Sequence, residues 1–211
     1  MPARSRKRKQ DDEYPDRSTI VPRIKHRQFL KSLRDMDVPD DQMPVTEPLV
    51  ADLLVTYAFD LPGMFQMVTY AAMKVLGIAA TDIRQLAVAN LREQLPQIGI
   101  ATEEPLRRIV TGENLEACVL LATRFWDDVA GQTEGNVVAV VPSRDLILFC
   151  SSKSGEGIGL LRGAAEVVLS SEGTHGLSKQ LLTWRNGKWA KYDGKAARPA
   201  GKKRVKRNAD R

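Results

Sequence analysis

The sequence predicts a single α+β domain, a mainly antiparallel sheet with packed helices, flanked by disordered basic tails. Three observations lead there. Two β-branched runs, residues 137–141 and 146–150, lie either side of Pro142-Ser143-Arg144-Asp145, where proline presets φ and Ser and Asp can bond nearby backbone. Both runs are apolar nearly throughout, so both faces of this hairpin should be covered, as at the centre of a sheet. A second hairpin is signalled by Asn186-Gly187 between residues 178–184 and 187–192, the pair favoured in type I′ turns. Helical periodicity appears over residues 81–95, with Ile83, Leu86, Ala87, Leu91 and Leu95 on one side.

Taken in order, residues 1–22 read as a basic disordered arm, too poor in apolar side chains to fold alone. Residues 23–47 read as a short amphipathic helix, with Ile24, Phe29, Leu30 and Leu33 roughly on one side, followed by an acidic, proline-punctuated linker. The folded domain is expected over residues 48–193. Residues 49–59 form a long apolar run with a β-rich second half; Asp60-Leu61-Pro62-Gly63 turns it back into residues 64–69 as an antiparallel partner. Thr69 can cap a helix over 70–76 that Gly77 closes, and Pro96 ends the next helix. Residues 98–112 suit one or two short strands. Residues 115–121 fit strand or helix equally. Residues 124–130 suggest a helix with Phe125, Trp126 and Val129 inward and Asp127 and Asp128 outside. A Gly/Ser loop, 151–157, should precede a helix over 160–169, and residues 194–211 read as a basic disordered tail.

Hydrophobic residues make up 43% of the 211, ordinary for one sizeable core. No apolar run reaches the roughly 18 residues of a membrane span, and no apolar segment follows the charged N-terminus as in a secretory leader. Cys118 and Cys150 are too few for a disulfide framework and sit in apolar runs, so buried inert thiols are expected. These features point to the cytoplasm. The net charge of +6 divides unevenly: residues 1–34 hold eleven Lys/Arg against four Asp/Glu, residues 195–211 eight against one, and residues 35–194 thirteen against twenty-one. An acidic body carries two basic ends.

The order of these pieces resembles the YtpQ-like family of uncharacterised bacterial proteins. The matching stretches are LVADLLVTYAFDL with FQMVT, DIRQLAVANLRE, TGENLEACVLLATRFWDDV with GNVVAVVPSRDLILF, and LSKQLLTWRNGKWAKY, together about residues 48–192. The most specific part is VAVPxxD between two apolar strands, here Val138 to Asp145 with one valine inserted or the register shifted before the proline. The resemblance implies an α+β fold with an antiparallel sheet and carries no established activity.

The residues assemble no catalytic set. His26 and His175 lack a metal-type spacing or a neighbouring cysteine, and His175 reads as a surface-loop histidine. Gly157, Gly159 and Gly163 give G-x-G-x-x-x-G, one residue too long for a dinucleotide fingerprint and after an antiparallel hairpin. A flexible loop with close helix packing at Gly163 explains them better. Asp127 and Asp128 point apart on a helix, and Glu113 and Glu116 fix no third ligand, so no metal and no cofactor are expected. Asp127, Asp128, Arg144 and Asp145 remain candidate partner-binding residues, the last two because turn tips are exposed. Arg6, Lys7, Arg8 and Lys9, with Lys202, Lys203, Arg204, Lys206 and Arg207, suit salt-sensitive phosphate contact without sequence readout. The reading is a non-enzymatic, cytoplasmic protein-binding domain, with a toxin-neutralising immunity-type protein as one concrete version. The alternative is non-specific nucleic-acid or ribosome association through the basic tails. No membrane partner is expected, and the oligomeric state stays open.

Overall fold

A computed structural model describes residues 14–95, 97–112, 114–171 and 175–194. Among these residues, ten strands form two sheets, and every pairing is antiparallel. The predicted α+β class is the observed one.

The first sheet is built on one long strand. The apolar run at 49–59 breaks where Ala51 takes a left-handed φ of 53°, which separates β2 (Thr46–Val50) from β3 (Leu53–Leu61). β3 pairs along one edge with β1 (Ile20–His26) from Ile20↔Phe59 to His26↔Leu53. Its other edge is shared by β2, opposite residues 53–56, and β4 (Met64–Met67), opposite residues 58–61. β1 corrects the expected helix over 23–33. Ile20, Val21 and Ile24 are β-branched and Pro22 disfavours helix before it, so the segment pairs with β3, and helix α1 starts only at Gln28 and runs to Asp35. α1 buries no residue, and what held it amphipathic in the sequence was Phe29, Leu30 and Leu33 alone. The expected linker is also structured: Met43 and Val45 are buried, and Thr46 already belongs to β2.

The helices behave as their caps dictate. Thr69 Oγ1 accepts from the Ala72 amide to open α2 (Tyr70–Leu76), and Gly77 closes it at φ 62°. α3 (Ile83–Gln94) buries Ile83, Ala87 and Leu91, the predicted stripe. Residues 116–121, which periodicity left open, form a 3-10 helix buried at every position. α4 (Thr123–Gly131) then buries Trp126 and Val129 and leaves Asp127 and Asp128 exposed, as expected.

The second sheet runs β10-β9-β7-β8-β6-β5, with β5 at Gly99–Glu103, β6 at Leu106–Val110, β7 at Val137–Ser143, β8 at Leu146–Ser151, β9 at Leu182–Arg185 and β10 at Lys188–Lys191. The predicted hairpin, β7–β8, is central. Strand alternation divides it cleanly: Val137, Ala139, Val141, Ile147 and Phe149 face the large core shared with the first sheet, while Val138, Val140 and Cys150 face α5 (Gly155–Ser170). Asn186 and Gly187 take φ of 52° and 72° between β9 and β10, the type I′ turn that was predicted. No helix among the described residues is long and apolar enough to cross a membrane.

α5 starts five residues earlier than the periodicity suggests because Ser154 caps it, accepting from the Gly157 amide. The three glycines therefore lie inside a helix rather than in a phosphate-cradling loop. Close packing occurs at Gly157, where a Cβ would stand 3.0 Å from both Cβ and Sγ of Cys150; at Gly163, the position expected to pack closely, it would meet nothing within 4 Å. Gly163→Ala should consequently raise stability by about 1 kcal/mol through unfolded-chain entropy, read as a higher urea midpoint at unchanged m-value. Gly157→Ala should lower it. Equal effects at the two positions would remove the packing explanation.

Candidate anion-binding site

Alternation along β1 sends Ile20 and Ile24 into the core and places Arg23 and Lys25 on the opposite face. Arg23 is nevertheless only 6% exposed. Its guanidinium lies 4.0 Å from the ring centroid of Phe65 on β4, a favourable cation–π contact. Nη1, however, is buried and has no hydrogen-bond partner among the described residues. Lys25 carries its ammonium 5.3 Å from the centroid of Phe29 on α1.

The third cation comes from the far side of the fold. Arg144 sits at the β7–β8 turn, where its amide donates to His175 O at 3.3 Å and its carbonyl accepts from the Ala117 amide at 3.0 Å. Those two bonds fix its backbone between the 3-10 helix and the segment before β9. Its Nε is buried and likewise unpartnered among the described residues. Arg23, Lys25 and Arg144 line one cavity of ≈380 Å³ together with His26, His175 and an apolar wall that includes Phe29 and Leu177.

The electrostatics are those of three cations held close without a carboxylate in contact. Burial lowers the pKa of Arg23, and Arg144 adds to the effect, while Cys118 and Asp60 oppose it. Burial also lowers Lys25, followed by repulsion from Arg23 and then Arg144. Among the described residues, none of the three makes an ion pair. Asp52, which pairs with the lining residue His26, meets its Nε2 at 3.3 Å through Oδ2 and accepts from Ser178 Oγ at 2.6 Å through Oδ1. The Gln28 amide donates to His26 Nδ1 at 3.2 Å, so the ring is held between the start of α1 and Asp52. An unsatisfied buried donor costs about 1–3 kcal/mol, and Arg23 Nη1 and Arg144 Nε are two such donors on residues that line the cavity.

Of the candidate residues that the structure describes, Arg144 lines this cavity and Asp127, Asp128 and Asp145 do not. Asp145 accepts from Ser143 Oγ, a bond that holds its carboxyl below the usual range, which is the turn chemistry expected of it. Asp127 accepts from Trp184 Nε1 at 2.9 Å and so ties α4 to β9. Asp128 is exposed on α4, away from the cavity lining. Glu116 is buried and accepts from the Thr111 amide at 3.1 Å. Arg6, Lys7, Arg8, Lys9, Lys202, Lys203, Arg204, Lys206, Arg207 and Glu113 lie outside the described residues, as do residues 1–13 and 195–211 of the basic ends; residues 14–22, expected to be disordered, carry a 3-10 turn at Arg17–Thr19 and the start of β1. Among the described residues, no three His, Cys, Asp or Glu side chains are grouped to hold a metal ion. Both thiols are buried, and burial raises each to about 11, as an inert cysteine requires.

Arg23 and Lys25 were not singled out in the sequence because their segment reads as an amphipathic helix with Ile24, Phe29, Leu30 and Leu33 on one side. The signal was present as Ile20-Val-Pro-Arg-Ile-Lys, where a period of two would have set both cations on one face.

Compared with known proteins, the chain matches no family model and no solved structure. It is 23% identical over 154 residues to a UPF0354 protein of Staphylococcus haemolyticus, an alignment that covers 70% of this chain and 52% of that protein. The chain thus spans about half the length of the curated relative it matches. The similarity is to a protein of an uncharacterised bacterial family.

Proposed function

We propose that this chain is a non-enzymatic binding module of the YtpQ-like kind, and that it engages a partner protein through an anionic group received between Arg23, Lys25 and Arg144. One observation carries the reading: a guanidinium that is 6% exposed keeps Nη1 buried and unpartnered at the wall of an open cavity. A charged group desolvated in a cleft is a candidate functional group on physical grounds. The charge pattern adds support. Residues 14–194, which include Arg23 and Lys25, carry nineteen basic and twenty-two acidic side chains, so the cavity is a cluster of cations on a slightly acidic body. Such a cluster discriminates between partners by accepting an anion here. The cytoplasmic, protein-binding character read from the sequence fits this arrangement, with the partner contributing the anion.

The test is affinity capture from the source lysate at low and high salt, using the full chain and Arg23→Met in parallel. A protein retained at high salt by the wild-type chain and lost by Arg23→Met supports the reading. Equal retention by both chains overturns the assignment of the site.

A further inference from the structure

We propose that the anion received by this cavity is a phosphomonoester borne on an apolar or aromatic group, and that Arg23, Lys25 and Arg144 hold its phosphoryl oxygens. The inference rests on the anion-binding reading above and adds the class of ligand.

Charge counting favours phosphate over carboxylate. Three cations share the cavity, and their mutual repulsion is felt by Lys25 from both arginines. A carboxylate would neutralise one and leave two facing each other. A phosphomonoester carries about −1.5 to −2 charges at pH 7 and three acceptor oxygens, which suits three separate cationic donors. Two of those donors, Arg23 Nη1 and Arg144 Nε, are already desolvated and unpartnered. Arginine is the side chain best matched to a tetrahedral oxyanion, and a charge-assisted hydrogen bond is roughly twice as strong as a neutral one.

The rest of the cavity calls for more than a bare ion. Its ≈380 Å³ lies within the range of small-ligand sites. Beyond the cations its wall includes Phe29, Leu169 and Leu177, which reward apolar contact, alongside His26, Gln28, Ser32 and His175. A phosphoryl group at the cationic end and an aromatic or aliphatic body against this wall fill both halves.

The experiment is calorimetric titration of the full chain with phenyl phosphate, inorganic phosphate, benzoate and the peptide Ala-phosphotyrosine-Ala, at one ionic strength and pH 7.5. Phenyl phosphate should bind about tenfold or more tighter than benzoate, through its added charge-assisted bonds, and tighter than inorganic phosphate, through its ring. Arg23→Met and Arg144→Gln should each abolish the difference between phenyl phosphate and benzoate while retaining cooperative thermal unfolding. Binding of the peptide as tight as phenyl phosphate or tighter would place the phosphate on a protein. Weaker binding of the peptide would place it on a free small molecule. Benzoate equal to phenyl phosphate would overturn the phosphomonoester while leaving an anion site. Inorganic phosphate equal to phenyl phosphate would overturn the apolar half. If no probe binds in an Arg23-dependent way, the anion site itself falls.

Discussion

Trp126→Ala is expected to lower the stability of the folded chain by about 3–5 kcal/mol, a large share of the roughly 5–15 kcal/mol that holds a domain of this kind together. Trp126 is fully buried and is the point where several elements meet. Its ring makes edge-to-face contacts with Phe125 at 5.1 Å, Phe149 of β8 at 5.5 Å and Trp189 of β10 at 4.8 Å between centroids. Each such pair contributes about 0.5–1.5 kcal/mol beyond area burial. Nε1 also donates to Val119 O at 2.7 Å, which ties α4 to the 3-10 helix. Alanine removes all of this at once and leaves a void among side chains fixed by two sheets. Urea unfolding checks it, with Trp126→Phe expected between wild type and alanine because it keeps ring contacts and loses the indole donor. A loss under about 1 kcal/mol for the alanine variant would mean that the ring cluster is not the centre of the core.

Arg23→Met should have the opposite sign. In chloride buffer without added phosphate or sulfate, the variant is expected to be more stable than wild type by about 1 kcal/mol or more, since a buried charge without a partner costs more than an apolar chain of similar reach. Methionine keeps the stem packing and places sulfur near Phe65 in exchange for the guanidinium. The pH dependence gives a second reading. Lys25 has a folded pKa below its ordinary 10.5, so between those two values the unfolded chain binds more protons and stability rises with pH. Arg23 is the second cause of that depression, after burial. Arg23→Met should therefore flatten the alkaline rise without abolishing it. Wild type and variant of equal stability, with superimposable pH profiles, would show that Arg23 is already satisfied in the absence of ligand. A chain that retains a destabilising arginine at a cavity wall trades stability for binding.

What could be read from the chain alone follows the range of the interactions involved. The β7–β8 hairpin, the Thr69–Gly77 helix, the α3 stripe and the Asn186-Gly187 turn are each specified within about a dozen residues, by caps, turn chemistry and periodicity acting on neighbouring backbone. The start of α5 was also locally encoded, in Ser154, but three glycines suggested a loop; one of them is needed where the helix backbone approaches Cys150. The 3-10 helix at 116–121 is apolar at nearly every position, so no period was visible in it. Asp127 looked like a surface acid until β9 brought Trp184 to it.

The α+β class and the central hairpin were determined by the sequence itself, because strand alternation and turn residues are local properties. β1 and the anion cavity were decided by the tertiary structure. Ile20–His26 becomes a strand because β3 supplies its hydrogen-bond partners, and Arg23 is buried because that pairing brings it beneath Phe65. Arg144 joins it from the opposite sheet only once the two sheets pack on a common core. A constellation made by long-range pairing has no period or spacing in the chain, and only the fold brings its three charges together.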